Sequence, residues 1–278
     1  MLAPAKLNLC LYLGPVRPDG LHELRSLFAP LSLADRLTVG ESDRDEVLCP
    51  GVPEPDLAAR ALAALREAGW RRPPVRIEVE KRIPVAAGLG GGSADAAAVL
   101  RLAGEEVEGR AVAGLAAALG ADVPSQLHPR FALVGGAGER VTPLPEPDGF
   151  FAVLLPQAEG LSTADVYAEA DRLGLARDGE ELERLSGELL GAAAAGASPL
   201  SYLELLVNDL AAAALSLRPS IGETLAALEE AGADAAIVTG SGPTAVGLFG
   251  ARAAAEAAAA ELSDAGRQAI VAESGRVR

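Results

Sequence analysis

At 278 residues, half of them hydrophobic, the chain can form one large domain or two modest ones and bury about three quarters of its unfolded surface. Its 39 Asp and Glu against 24 Lys and Arg give a formal charge of −15, too apolar overall for a disordered chain and too acidic for a general nucleic-acid binder. Three Tyr, five Phe and one Trp are too few for a base-stacking platform, and two Cys and two His (Cys10, Cys49, His22, His128) offer neither a disulfide framework nor zinc-ligand spacing.

The first element is Leu7 to Leu13, where Leu7, Leu9, Leu11 and Leu13 alternate with Asn8, Cys10 and Tyr12. Period 2 predicts a strand with Leu7, Leu9 and Leu11 on the core face. Lys6 and Asn8 then share the polar face with Cys10, able to line a cleft. The N-terminus lacks a basic region ahead of its apolar run, and no window offers a membrane span, so a cytoplasmic protein without a membrane partner is expected. A helix is predicted over Leu57 to Ala68, and an alternating strand over Val75 to Val79.

The segment after that strand is the most informative: Lys81-Arg82-Ile83-Pro84-Val85-Ala86-Ala87-Gly88-Leu89-Gly90-Gly91-Gly92-Ser93. Four glycines in five positions lead into an Ala-rich helix, Ala94 to Ala103, with Ser93 as its expected opener. Glycines let the backbone approach a ligand closely, and a helix N-terminus adds unpaired N–H groups and partial positive charge. Together they predict an anion cradle suited to a di- or triphosphate. The loop is neither a GxxxxGK[ST] phosphate loop nor a GxGxxG dinucleotide fingerprint.

Further on, a helix over Ala111 to Leu119 stops at Gly120, leaving Asp122 in a short loop locked by Pro124. A carboxylate there is a fair general base if it faces a cleft, and a surface turn residue otherwise. Pro143 to Gly149 is the expected domain boundary, dividing the chain into 1–148 and 149–278. Buried strands are expected at Phe150 to Leu155 and Ala235 to Val238. Helices are expected over Glu180 to Leu190, Tyr202 to Leu215, Ile221 to Ala231 and Ala251 to Leu262. Gly240-Ser241-Gly242 reads as a hairpin turn between Ala235–Val238 and Ala245–Phe249. The strands do not alternate strictly with helices, so an α+β fold is predicted rather than a doubly wound sheet.

Three of these segments together resemble the GHMP family of small-molecule kinases: Pro4-Ala5-Lys6-Leu7-Asn8-Leu9, Pro84 through Ser93, and Gly240-Ser241-Gly242. The resemblance spans essentially the whole chain. It implies a two-domain α+β architecture, with an N-terminal nucleotide-binding domain, a C-terminal α/β sandwich domain and the substrate cleft between them. It also implies ATP as phosphoryl donor, with Mg²⁺ bridging phosphate oxygens and no protein metal ligand expected. Asp122 then looks like the catalytic base and Lys6 like its charged partner. Lys81, Pro84 and Gly88, Leu89, Gly90, Gly91, Gly92 and Ser93 look like the ATP site, and Gly240, Ser241 and Gly242 like a supporting turn.

Within the family, Asp19-Gly20-Leu21-His22-Glu23-Leu24, Gly120 to Pro124, Ser162 to Tyr167 and Asn208-Asp209-Leu210 resemble members whose acceptor is a cytidine-diphosphate-linked methylerythritol. That implies transfer to its 2-hydroxyl, with Asn8, His22, Thr163 and Tyr167 as substrate contacts. The chain departs from that pattern at Leu21, where an aromatic is usual, and at Asp56, where Asn is usual. Other acceptors (homoserine, mevalonate, a sugar) stay open on the glycine loop alone, and the His22 and Tyr167 segments weigh against them. A non-catalytic nucleotide-binding module is the remaining alternative, and it would have no need of both Lys6 and Asp122. A monomer or a homodimer is expected.

Overall fold

The computed structural model describes residues 1–275. The first sheet is built around two long strands, β1 (Leu2–Val16) and β2 (His22–Glu41). β1 runs antiparallel along one edge of β2. The opposite edge of β2 is shared: β4 (Val75–Glu80) takes its C-terminal half, and β5 (Ala132–Gly136) its N-terminal half. β3 (Glu46–Leu48) extends the sheet beyond β4, and β6 (Arg140–Pro143) extends it beyond β5. Helix α1 (Leu57–Glu67) follows β3, and α2 (Gly91–Leu100) follows β4. Then come α3 (Gly109–Leu119) and the single turn α4 (Val123–Leu127). Leu62, Leu65, Trp70, Ile77, Val99 and Val123 form one core between these helices and the sheet.

The chain leaves the first sheet at Pro143 and enters the second at β7 (Phe151–Leu155). Helices α5 (Thr163–Leu173), α6 (Gly179–Ala193), α7 (Ala211–Leu217) and α8 (Ser220–Glu230) follow. The antiparallel sheet is completed by β8 (Ala235–Val238), β9 (Ala245–Phe249) and β10 (Ile270–Glu273), in the order β10-β7-β9-β8, with α9 (Arg252–Asp264) before the last strand. A single apolar cluster joins the sheets: Leu7, Leu9, Leu27 and Leu31 pack with Phe150, Leu154, Val246 and Leu248, all buried. The architecture is α+β, as the interspersed elements predict. No helix among the described residues is long and apolar enough to cross a membrane.

Several local expectations are corrected. β1 starts five residues earlier than its alternation suggests, and both its faces are buried from Ala3 to Gly14. Its register shifts between Asn8 and Cys10, where two residues of β1 span one step of β2. Such a bulge exchanges the faces downstream. Cys10 therefore goes into the core, its thiol pushed up to about 12 by burial, and Leu11 takes the cleft side. Helix α2 opens at Gly91, with Gly90 left-handed at the cap, rather than at Ser93. The expected helix from Tyr202 to Leu215 is two 3₁₀ turns, Pro199–Ser201 and Leu203–Leu205, followed by the short α7. That break lets Val207 to Asp209 run along the free edge of β1: Leu11 N–H donates to Val207 O and Asp209 N–H to Leu11 O, each at 2.9 Å.

Candidate active site

Two clefts meet at the loop between β4 and α2. The first, about 250 Å³, is lined by Lys6, Asn8, Leu24, Phe28, Asp122 and Tyr167, among others. The second, about 520 Å³, lies on the other side, between the glycine loop and the start of α1. Gly88, Gly90, Ser93 and Thr163 line both, so the glycine loop is their common wall.

At the floor of the first cleft Lys6 Nζ lies 3.3 Å from Asp122 Oδ2. These side chains are 116 positions apart in sequence, and three separate constraints bring them together. The β1 backbone is pinned where Lys6 N–H donates to Leu89 O at 3.0 Å, which fixes the glycine loop to the strand. The Lys6 ammonium also donates to Asn8 Oδ1, while Asn8 Nδ2 donates to Ser26 Oγ at 2.7 Å. On the other side Asp122 sits at the turn between α3 and α4, where Ser125 Oγ donates back to its carbonyl at 2.8 Å. Lys6 is 6 % exposed while the Asp122 side chain is 32 % exposed, so the ammonium is fixed and the carboxylate faces the open cleft. Lys6 Nζ also lies over the Phe28 ring at 4.9 Å, an arrangement favourable to a cation.

The glycines of both turns are required by close approach. A Cβ on Gly88, at φ +75°, would come within 2.8 Å of Gly242 O, and one on Gly90 within 2.8 Å of Lys6 Cγ. The Gly240–Gly242 turn is therefore seated directly on the glycine loop. It is held there by Thr239, whose Oγ1 accepts the Asn8 N–H at 2.9 Å, and by Asn208, whose Nδ2 donates to Val238 O at 2.7 Å and Gly240 O at 2.8 Å. The Ser241 and Thr163 hydroxyls meet at 3.0 Å and tie the turn to the first residue of α5. Four residues on, Tyr167 faces the cleft, its phenol pushed up to about 12 by burial and then by the Asp122 charge.

The second cleft is lined by backbone of the glycine loop, by polar side chains and by apolar ones. Gly90 to Ser93 present the first turn of α2, which has no side-chain cap and no acidic residue, so its N–H groups are free for an anion. Behind that turn Lys81 Nζ donates to Asp35 and, at 2.8 Å, to Asp95 Oδ2. The lysine sits in a buried carboxylate pair and is not a free cation of the cleft. Burial pulls its pKa down, but the Asp95 and Asp35 charges outweigh this and leave it raised. Pro84 lines the cleft with Val52, Leu57 and Val85, and Leu89 is buried within the loop itself.

Lys6, Asn8, Asp122, Thr163, Tyr167, the glycine loop, Gly240 and Ser241 therefore converge. His22 is set back: it is buried, its Nδ1 lies 2.9 Å from Gly14 O, and its Nε2 lies 3.0 Å from Asp171 Oδ1 without hydrogen-bond geometry. It reaches the cleft through the Tyr167 ring, 5.6 Å away. Sequence reasoning misses the wall formed by Leu24, Phe28, Val134, Ala137 and Gly138. These belong to β2, β5 and the loop after β5, and the signal was the alternation in His22-Glu23-Leu24-Arg25-Ser26-Leu27-Phe28.

A lysine–carboxylate pair at an alcohol-sized floor, separated from an amide-lined anion cradle by one glycine loop, is the arrangement of an ATP-dependent small-molecule phosphotransferase. The family models for the GHMP kinases N terminal domain and the GHMP kinases C terminal match residues 56–130 and 179–268. The chain belongs to the GHMP kinases. It is 43% identical over 282 residues to the 4-diphosphocytidyl-2-C-methyl-D-erythritol kinase of Salinispora arenicola (strain CNS-205), covering 96% of this chain and 89% of that protein. It is 37% identical to a solved 4-(cytidine 5'-diphospho)-2C-methyl-D-erythritol kinase, with a TM-score of 0.80 and 99% of each chain covered. A homoserine kinase from Cytophaga hutchinsonii ATCC 33406 shares the fold at a TM-score of 0.69 and 18% identity, covering 99% of this chain and 93% of that one.

Proposed function

We propose that this kinase transfers the γ-phosphoryl group of ATP to the 2-hydroxyl of 4-diphosphocytidyl-2-C-methyl-D-erythritol, a step of non-mevalonate isoprenoid biosynthesis. The observation that carries this reading is the 3.3 Å pairing of Lys6 and Asp122 at the floor of the acceptor cleft, backed by the 43% identity to a kinase of that name.

Phosphoryl transfer asks for alignment, charge neutralisation and a route for one proton. Asp122, facing open cleft, accepts the proton of the attacking hydroxyl. Lys6, fixed by Asn8 and by the Leu89 carbonyl, stabilises the charge that develops on the transferring group. The N–H groups of Gly90 to Ser93 hold the phosphates of ATP, and the Gly240–Gly242 turn keeps the loop pressed against β1. When bound, Mg²⁺ would supply charge neutralisation at the phosphates, and Asp95, which lines that cleft with its Oδ1 buried and unpartnered, is the residue that would help to hold it. Thr163 and Tyr167 contact the cytidine end of the acceptor, with His22 behind the aromatic ring. Leu21, more than half exposed, stands where an aromatic is usual and would offer the base an aliphatic face instead. We read residues 1–148 and 149–278 as two domains with the acceptor between them.

The test is ADP release with ATP and each candidate alcohol. The cytidine-linked acceptor should turn over at least ~100-fold more efficiently than homoserine or mevalonate, because a site built around polar partners rejects analogues that leave them unpaired. Equal or better use of homoserine would overturn the assignment.

A further inference from the structure

Asp122, read above as the proton acceptor, stands in the short connection between α3 and α4. Two bonds fold that connection on itself: Val123 N–H donates to Gly120 O at 3.1 Å, and Ser125 Oγ to Asp122 O at 2.8 Å. Neither ties it to β1, where Lys6 stands. The far end of α4 is tied there by Arg101, which donates to Gln126 O at 2.8 Å and to Leu2 O at 2.9 Å. The near end, beside Asp122, rests on a glycine instead. Gly138, in the turn between β5 and β6, lies against Ala121, the residue before Asp122. A Cβ on Gly138 would come within 2.6 Å of Ala121 O and 2.9 Å of Ala121 Cβ. Ala121, Asp122, Ala137 and Gly138 all line the first cleft.

The turn that carries Gly138 is itself braced. Glu139 closes it, its Oε2 accepting the Ala137 N–H at 2.7 Å and its Oε1 accepting from Arg17 Nη1 at 2.9 Å. Gly138 N–H donates to Gly135 O at 3.1 Å, and Gly136 N–H to Glu23 Oε1 at 3.2 Å. Arg17 directly follows the last residue of β1. One strand therefore carries Lys6 near its start and, from its other end, reaches Ala121 through Arg17, Glu139 and Gly138.

We propose that Gly138 is a positioning residue for the transfer: it seats Ala121 and so fixes Asp122 relative to Lys6 and the acceptor hydroxyl. This rests on the reading of Asp122 as the proton acceptor. A side chain at position 138 meets backbone, which does not swing aside as the tip of a long side chain does, so the overlap is relieved by moving the Ala121–Asp122 segment.

The experiment measures kcat and KM for ATP and for the cytidine-linked acceptor in Gly138→Ala, in Asp122→Asn and in the double variant. Gly275→Ala controls for backbone strain, since Gly275 has the same φ of +123° and an added Cβ there meets no atom within 4 Å. Gly138→Ala should lower kcat ~10- to 100-fold, the scale of a reacting group misplaced by about an ångström. Its KM for ATP should stay within ~3-fold, and Gly275→Ala should leave kcat within ~2-fold of wild type. In the Asp122→Asn background the penalty of Gly138→Ala should shrink to ~3-fold or less, because a residue that acts through Asp122 has nothing left to misplace. Ala121→Gly brings no new atom into the contact and covers the case in which thermal unfolding shows Gly138→Ala unfolded. It loosens the seat and should lower kcat ~3- to 10-fold, again only with Asp122 present. A penalty that persists in full in Asp122→Asn, or one carried by KM for the acceptor alone, overturns the inference and leaves Gly138 as wall of the acceptor cleft, while the kinase reading stands. Unaltered kcat in Asp122→Asn itself would overturn the reading of Asp122, and the inference with it.

Discussion

In the proposed reaction Asp122 and Lys6 divide the chemistry unequally, and their surroundings say how. The lysine is enclosed by Asn8, Phe28 and the glycine loop, whereas the aspartate keeps a third of its side chain open to the cleft. A group that must take up and release a proton needs that access, and a group that only supplies charge does not. Asp122→Asn preserves size and the turn at α4 while removing the proton acceptor. It should lower kcat by at least ~10²-fold, the contribution of a positioned base, with KM for ATP changed by less than ~3-fold, because the cleft proposed for the nucleotide lies across the glycine loop. Steady-state kinetics with ATP varied separate the two effects. A variant with unaltered kcat would take Asp122 out of the reaction. Lys6, Asn8 and Asp122 were legible as candidates through the family resemblance, since a lysine at a strand start and an aspartate in a turn are ordinary on their own. The meeting of Lys6 with Asp122 was not, because it depends on where α3 ends relative to β1. Nor was Cys10's burial, since alternation cannot announce the bulge that exchanges the faces of β1.

At the scale of elements, the glycine loop and the Gly240–Gly242 turn act as one part. Sequence inspection reads the loop glycines as room for a phosphate. The structure gives Gly88 a different first duty, the contact with Gly242 O that seats the turn. Gly88→Ala should therefore carry two penalties: a left-handed alanine, about 1–2 kcal/mol, and overlap with backbone, about 1–3 kcal/mol. Gly232→Ala is the control, since Gly232 also has positive φ (+86°) but no atom within 4 Å of the added Cβ. It should lose only the conformational part, about 1–2 kcal/mol. Urea denaturation of both variants measures the difference, and equal losses would mean that the loop and the turn are not wedged together. The helices that sequence periodicity located, α1, α3, α6, α8 and α9, are amphipathic or Ala-rich and self-contained. The ones it misplaced depend on neighbours. The segment after Tyr202 gives up its helix because Asn208 and the backbone around it are recruited to β1 and the Gly240 turn, a tertiary pairing that outweighs local propensity. α5 was hidden by its mixed polar face, although Ser162 caps it by accepting the Asp165 N–H at 3.3 Å.

For the molecule as a whole, the notable electrostatic feature is that two buried aspartates share one lysine beneath the second cleft. Asp35 accepts the Arg82 and Ile83 N–H groups at 2.6 and 2.8 Å as well as the Lys81 ammonium, so it is the better satisfied of the two. Asp95 accepts from Lys81 at 2.8 Å, and burial, with the neighbouring Asp35 carboxylate, outweighs that attraction, raising its pKa from 3.8 to about 7. The folded protein thus retains a proton on Asp95 that the unfolded chain has already lost. The stability this group confers is full at acid pH and declines as pH rises from about 4 to about 7. Glu23, Asp45 and Glu139 act in the opposite sense, since their lowered values withdraw stability only as pH falls into the carboxylate range. Between about pH 5 and pH 8, then, Asp95 sets the carboxylate contribution. Asp95→Asn leaves Lys81 paired with Asp35 and removes the titration. The wild type should lose on the order of 2 kcal/mol of unfolding free energy across that interval relative to Asp95→Asn. Parallel pH dependences in urea titrations of the two proteins would show that Asp95 is ionised throughout, and that Lys81 alone balances both carboxylates.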